Sequence, residues 1–175
     1  MKATTISGRI WILEAGGKLI EDIDTDQIFH NVFLHITDIS QMGQHTLGNL
    51  PGWEDFPSKV NRGDILLAGR NFGAGSSRQQ AVDCFIALGV SAIVAPSFGA
   101  IYFRNAVNSG FPVIRYENLY KMVEGSELNP GDDVSFDVQV GRGQNKTRGI
   151  DLAFEPMSEV QLQIYSAGNL FNFAK

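Results

Sequence analysis

Two short stretches carry residue types that can do chemistry. The first is GRNFGAGSSRQQ, residues 69–80, in which three glycines, two adjacent serines and an arginine run directly into an apolar helical pattern. Gly73 and Gly75 permit positive φ and close backbone approach. Ser76 stands where the helical pattern begins, and Ser76-x-x-Gln79 fits a capping box, in which the serine hydroxyl and the glutamine side chain satisfy amides at the helix end. The same residues fit a second use. A helix N-terminus offers free N–H groups and the positive end of a dipole. Ser76 and Ser77 add hydroxyls, and Arg78 adds a planar, forked cation matched to a carboxylate. Together these make a small-anion site with a group suited to proton transfer. Both uses are open on this fragment. Other templates fail on spacing. A P-loop needs Gly-Lys-Ser/Thr and there is no lysine here. A dinucleotide fingerprint needs a third glycine where Arg78 stands, and a nucleophile elbow needs a glycine two places after the serine.

The second stretch is DIDTDQI, with Asp22, Asp24 and Asp26 within five residues. It lacks the glycine and the bidentate glutamate of a calcium loop, and by itself it reads as a solvated turn. His30, His35 and His45 follow, none at the spacing of a zinc-binding HExxH pair. The single cysteine, Cys84, lies in an apolar helical pattern and reads as a small buried residue. One cysteine holds neither a disulfide nor a cluster, so no metal site is expected in this chain.

These residues need a scaffold, and 175 residues suit one domain with its own core. The formal net charge of −5 and the scattered 14 basic residues argue against a nucleic-acid or anionic-membrane surface. No apolar run reaches the roughly 18 residues of a membrane span, and the N-terminus shows no export signal, so a cytoplasmic protein is expected. SGRIWIL alternates, with Ile6, Ile10 and Ile12 on one face, and reads as a strand. A polar, Pro/Gly-punctuated connection follows, with a short helix expected around 39–47. From Asp64 the pattern becomes regular. DILLAG, SAIVAP and FPVIRY are apolar strands suited to burial on both faces. Between them lie a helix ending at Gly89 and a second helix, FGAIYFRNAVNSG. Strand–helix–strand–helix–strand over 64–116 predicts parallel β with covering helices, an α/β fold. DVSFDVQV and GIDLAF are expected to pair across a polar turn at 141–149, and SEVQLQIYSAGNLFNF to form one helix capped by Ser158.

IDTDQI, then GRNFGAGSSRQQA, then SAIVAPSFGAIYFRNAVNSGFPVI resemble, in order and spacing, the small subunit of 3-isopropylmalate dehydratase, a member of the aconitase superfamily. The resemblance spans nearly the whole chain. It implies a single swivelling β/β/α three-layer domain over 1–175, as in the aconitase C-terminal domain, with a flexible flap around 30–63. It implies a large-subunit partner carrying a [4Fe–4S] cluster that this chain does not hold. The implied reaction is dehydration and rehydration of a hydroxy-dicarboxylate, 2-isopropylmalate in leucine biosynthesis. Homoaconitase-type or dimethylmalate-type hydro-lyases, or a non-catalytic anion-binding module, are the alternatives. By motif position Ser76 is the implied general base in its alkoxide form. Ser77 and Arg78, with Gly75 in the same loop, are implied substrate contacts, and Asp26 an active-site aspartate paired with a large-subunit group. His35 falls in the segment to which the family's substrate choice is attributed. There it is neither the apolar residue of isopropylmalate enzymes nor the arginine of homoaconitases.

Overall fold

The computed structural model describes residues 1–175. Its central strand, β1 (Thr5–Ile12), serves two halves of one seven-stranded sheet. Residues Thr5–Arg9 pair antiparallel with β7 (Asp133–Asp137), while Ile10–Ile12 pair parallel with β4 (Ile65–Leu67). A two-residue ribbon, β2 (Glu14–Ala15) with β3 (Lys18–Leu19), follows β1. Beyond β4 come β5 (Ala92–Ala95) and β6 (Val113–Arg115), all parallel. Beyond β7 come β8 (Arg142–Asn145) and β9 (Ile150–Ala153), all antiparallel.

The continuous apolar strands behave as their composition dictates. In β4 and β5 every residue is buried, and alternate side chains enter different cores. Ile65, Leu67, Ala92 and Val94 join Ile10, Ile12, Val134 and Phe136 in one cluster. Leu66 and Ile93 join Val82 and Phe85 of α3 (Gln80–Leu88) and Tyr102 and Ala106 of α4 (Ala100–Asn108) in the other. A flat seven-stranded sheet would hold its edges about 29 Å apart, six spacings of ~4.8 Å. Here the edges meet. Glu155 N, just past β9, donates to Arg115 O of β6 at 3.1 Å, and the Tyr116 and Phe154 rings lie 6.1 Å apart. The sheet therefore curls, and its antiparallel half covers one face of the parallel half while α3 and α4 cover the other. The result is the three-layer β/β/α arrangement expected from the resemblance.

The remaining helices are α1 (Thr25–Ile28), α2 (Phe56–Lys59), α5 (Leu119–Glu124), α6 (Glu159–Ala167) and α7 (Leu170–Phe173). Three expectations are corrected. Residues 141–149 are not a plain turn: Arg142–Asn145 is β8, and it lies between β7 and β9, which do not pair with each other. Its polar sequence is tolerated because Asn145 is buried with its Nδ2 donating to Glu127 O and Asp132 Oδ2, both at 2.8 Å. The helix expected around 39–47 is two 3-10 turns, Ile39–Gln41 and Gly43–His45. The C-terminal helix breaks at Gly168, whose φ of +98° ends α6 before α7 begins. Ser158 caps α6 in a full capping box with Gln161.

Candidate active site

The glycine-rich loop leaves the carboxyl end of β4, where open α/β sheets place their ligand sites. Two other segments flank it at the same end. On one side, Gly69 N donates to Ile20 O (3.1 Å), Asp22 N to Arg70 O (2.9 Å), Gly73 N to Ile23 O (2.8 Å) and Thr25 N to Ala74 O (2.8 Å). On the other, Phe72 N donates to Ser97 O, Gly99 N to Phe72 O, and Asn71 N to Ser97 Oγ. The three segments thus extend the parallel sheet and bring DIDTDQI against GSSR. Gly73 is required here. Its φ is +80°, and a Cβ would run into the Tyr102 ring packed over it.

The capping reading of Ser76 does not hold. α3 begins at Gln80 with Gln79 as N-cap, and no side chain caps it. Gln79 instead donates to Asp83 Oδ1 at 3.0 Å and Ser109 Oγ at 2.7 Å. The ladder to residues 20–25 holds the chain through Ala74 out of helical geometry, and Ser76 O accepts from Thr25 Oγ1 at 2.8 Å. The capping box lies in the acidic stretch: Asp24 Oδ1 accepts from Gln27 N at 2.8 Å, and Gln27 Oε1 accepts from Asp24 N at 3.1 Å. This fixes α1 and aims Asp26, one residue into the helix after Thr25, toward the loop.

Arg78 joins the two stretches. Its side chain is 11 % exposed. Nη1 donates to Asp26 Oδ1 at 3.2 Å and to Phe29 O at 2.8 Å, and Nη2 donates to Ser76 Oγ at 3.2 Å. Nε is buried without a partner. Of the five guanidinium N–H groups, one on Nη2 is left for a ligand. Asp26 also accepts from Asn31 N at 2.9 Å through Oδ1 and from Asn49 Nδ2 at 3.0 Å through Oδ2. Burial pushes the Asp26 carboxyl up, but the Asn31 amide and the Arg78 guanidinium, with His30 nearby, outweigh it and hold the group below the usual carboxylate range. Ser76 and Ser77 are exposed. Ser77 Oγ accepts from Asn105 Nδ2 at 3.1 Å.

The structure therefore gathers Ser76, Ser77, Arg78, Gly75 and Asp26. His35 stands apart from them. It is exposed and hydrogen-bonds only Val32 O, at 3.1 Å. Its segment is tied to α3 by Gln80 Nε2 donating to Leu34 O at 3.2 Å. Residues 30–63 divide in two: Met42, Leu47, Leu50 and Phe56 are locked into the helix-side core, whereas 31–41 contains no buried residue. Asn49 and Asn105 join the site without a sign of it in the sequence. A lone asparagine in a punctuated connection or late in a helix carries no local signal. The residues present do not fit an iron–sulfur cluster. Cys84 is fully buried, its Sγ directed to Ala81 O, and burial pushes its thiol up to about 12. No group of three or more His, Cys, Asp or Glu side chains assembles as metal ligands.

Residues 53–119 match the family described as the aconitase C-terminal domain. The 3-isopropylmalate dehydratase small subunit of Nautilia profundicola is 38% identical over 97% of this chain and 94% of its own length. A methanogen homoaconitase small subunit from Methanothermobacter thermautotrophicus is 37% identical over 95% of this chain and 89% of its own. The crystal structure of 3-isopropylmalate dehydratase from Methanocaldococcus jannaschii superposes with a TM-score of 0.83 at 32% identity, covering 97% of this chain and 93% of that one.

Proposed function

Because the chain belongs to the family of 3-isopropylmalate dehydratase small subunits, we propose that it supplies half of the active site of a hydro-lyase that isomerises 2-isopropylmalate to 3-isopropylmalate in leucine biosynthesis. Its partner is the large subunit. Ser76 is the general base. As an alkoxide it takes the proton from the carbon next to a substrate carboxylate, and on rehydration of the alkene a proton goes to the neighbouring carbon, the one that lost the hydroxyl, while the hydroxyl adds to the carbon that lost the proton. A serine hydroxyl is far too weak an acid to ionise unaided, so preorganised donors must stabilise the alkoxide. Arg78 Nη2, 3.2 Å from Ser76 Oγ, is such a donor. Asp26 is the counter-ion that fixes Arg78 in that pose, an intrachain role beside the partner contact that the resemblance implies for it. Ser77, the remaining Nη2 N–H and the backbone at Gly75 contact the substrate carboxylate. The observation that carries this reading is the Asp26–Arg78–Ser76 chain, built from segments 50 residues apart in sequence.

The [4Fe–4S] cluster, a Lewis acid, belongs to the large subunit, and no residue of this chain takes part in holding it. We take 1–175 as one cytoplasmic swivel domain. Its flap is the stretch 30–41, in which no residue is fully buried and Phe33 and Ile36 rest on the core from outside, because the stretch from Met42 to Phe56 moves only by opening the core. A related substrate remains a second reading, favoured by the homoaconitase relative and by His35, a residue that carries charge when protonated. No helix is long and apolar enough to cross a membrane.

The test is reconstitution with the large subunit and cluster against a panel of 2-isopropylmalate, homocitrate, citrate and dimethylmalate. Preference for 2-isopropylmalate is expected, and preference for a tricarboxylate selects the second reading. Ser76→Ala is expected to lower kcat by at least about 1,000-fold with unchanged thermal stability, since the side chain is exposed. Full turnover by that variant removes Ser76 as the base.

A further inference from the structure

Asn49 lies 23 positions from Asp26 in sequence, in a connection with no chemistry of its own, yet it grips that residue twice. Its Nδ2 donates to Asp26 Oδ2 at 3.0 Å and to the Asp26 backbone O at 3.3 Å. We propose that Asn49 is a positioning residue for the reaction, holding the Asp26 carboxylate in the plane from which Asp26 fixes Arg78 against Ser76. This rests on the roles given above to Ser76 and Arg78.

The geometry supports it in three ways. First, the other donors to Asp26, Asn31 N and Arg78 Nη1, both reach Oδ1. Asn49 alone holds Oδ2, and without it the carboxylate turns about its Cβ–Cγ bond and the Arg78 contact loses its direction. Second, the orientation of the amide is set by its partners. Both are acceptors, so the nitrogen, not the oxygen, must face Asp26. Third, Asn49 is itself anchored on α1. Leu47 N donates to Ile28 O at 2.8 Å, and Leu47 and Leu50 are buried. Leu47 keeps a φ of +60°, a conformation unfavourable for a branched side chain that persists only where the surroundings impose it. The charged or titratable groups facing Asp26 are Arg78 from the loop and His30 from the segment after α1. Asn49 adds a neutral donor, so it directs the carboxylate without competing for the Arg78 cation.

Two measurements test the proposal. The first is a carboxyl 13C NMR titration of Asp26 in the full-length chain, assigned by difference with Asp26→Asn. Asn49→Ala removes a donor to the charged form, so the Asp26 midpoint is expected to rise. The second is kinetics of the reconstituted enzyme. Asn49→Ala is expected to lower kcat on the order of 10- to 100-fold, the loss of one hydrogen bond to a charged group, with KM within about twofold. Asn49→Asp keeps the shape and reverses the polarity. Its kcat relative to the unmodified enzyme is expected to fall further at neutral pH and to recover as pH falls, when the introduced carboxyl is protonated and donates to Asp26. An Asn49→Ala chain with an unmoved Asp26 midpoint and unchanged kcat overturns the proposal. Equal losses in both variants with a pH-independent ratio also overturn it, because a purely structural anchor behaves that way. If the unmodified complex does not turn over 2-isopropylmalate, the functional reading fails instead, and the Asp26 titration still decides whether Asn49 holds the carboxylate.

Discussion

Arg78→Lys separates the two things Arg78 does. In the structure one nitrogen, Nη1, serves Asp26 and Phe29 O, and the other, Nη2, serves Ser76 Oγ at 3.2 Å. A lysine ammonium is a single point on a shorter arm. Placed to keep Asp26 and Phe29 O, it abandons Ser76. Stability then falls little. The charge is still paired, Asp26 is 39 % exposed, and partly solvated pairs are worth about 0–1 kcal/mol. For a chain of this length that is a melting shift of about 2–4 °C at most. Catalysis is expected to suffer far more. Losing one preorganised donor to a developing oxyanion costs about 100- to 1,000-fold in kcat, or roughly 2.7–4 kcal/mol of barrier. Because only one Nη2 N–H faces a ligand, KM is expected to change less than about fivefold. The assay is kcat and KM for 2-isopropylmalate with the reconstituted complex, alongside thermal melts of the isolated subunit. A kcat within threefold of the unmodified enzyme refutes the assignment of Arg78 as the alkoxide's donor. A large KM increase at constant kcat refutes it too, and restores Arg78 as a substrate clamp.

Two further outcomes concern stability and reactivity. Burial pushes the Asp132 carboxyl up, but Arg148 Nε and Asn145 Nδ2, both at 2.8 Å, and Asn129 N at 3.0 Å hold it below the usual range. Its contribution is therefore present above about pH 4 and lost as pH falls through the lower folded value. Asp132→Asn is expected to cost about 1–2 kcal/mol at pH 7 in urea unfolding, since Arg148 is partly solvated, and to lose less stability than the unmodified chain between pH 5 and 2; parallel pH curves contradict this. Cys84, buried with its thiol pushed up to about 12, is expected to resist a thiol reagent at pH 8 in the native chain and to react at once in denaturant. Rapid native labelling contradicts that burial.

The legible parts of the sequence are those in which local chemistry and position coincide. β4, β5 and β6 announce themselves because strands buried on both faces need continuous apolar runs, and α3 because Gly89 supplies its left-handed stop at φ +77°. The serine–arginine loop stands out in the sequence because two glycines, two hydroxyls and a forked cation adjoin a helical pattern, which fits either a capped helix start or an anion site. Its geometry is not legible. Ser76-x-x-Gln79 satisfies the pattern of a capping box, but the box forms at Asp24 and Gln27, because a ladder to a distant segment holds the loop away from α3. β8 is hidden for a similar reason: Asn145 is polar and buried, and only its distant partners make that tolerable. Asn49 is beyond local reading altogether, since its meaning lies in a carboxylate 23 residues away.

The proposed division of the site between chains follows from how Arg78 is used. A guanidinium that clamps a substrate carboxylate through two parallel N–H bonds needs a free edge. Here the edges are taken: Nη1 by Asp26 and Phe29 O, half of Nη2 by Ser76, and Nε lies buried. With Ser76 as the proposed base, the chain commits its one strongly placed cation to it, and Ser77, the loop backbone and a single N–H are left to meet the proposed substrate. A dicarboxylate with a departing hydroxyl needs more contacts than these, and Ser76 and Ser77 face open solvent. On the proposed function the missing contacts come from a surface that covers the loop, and that is where the proposal puts the large subunit. On this view strengthening carboxylate binding from this side, by freeing Arg78 through Asp26→Asn, is expected to lower kcat even where KM improves. The same fork cannot serve the base and the substrate at full strength.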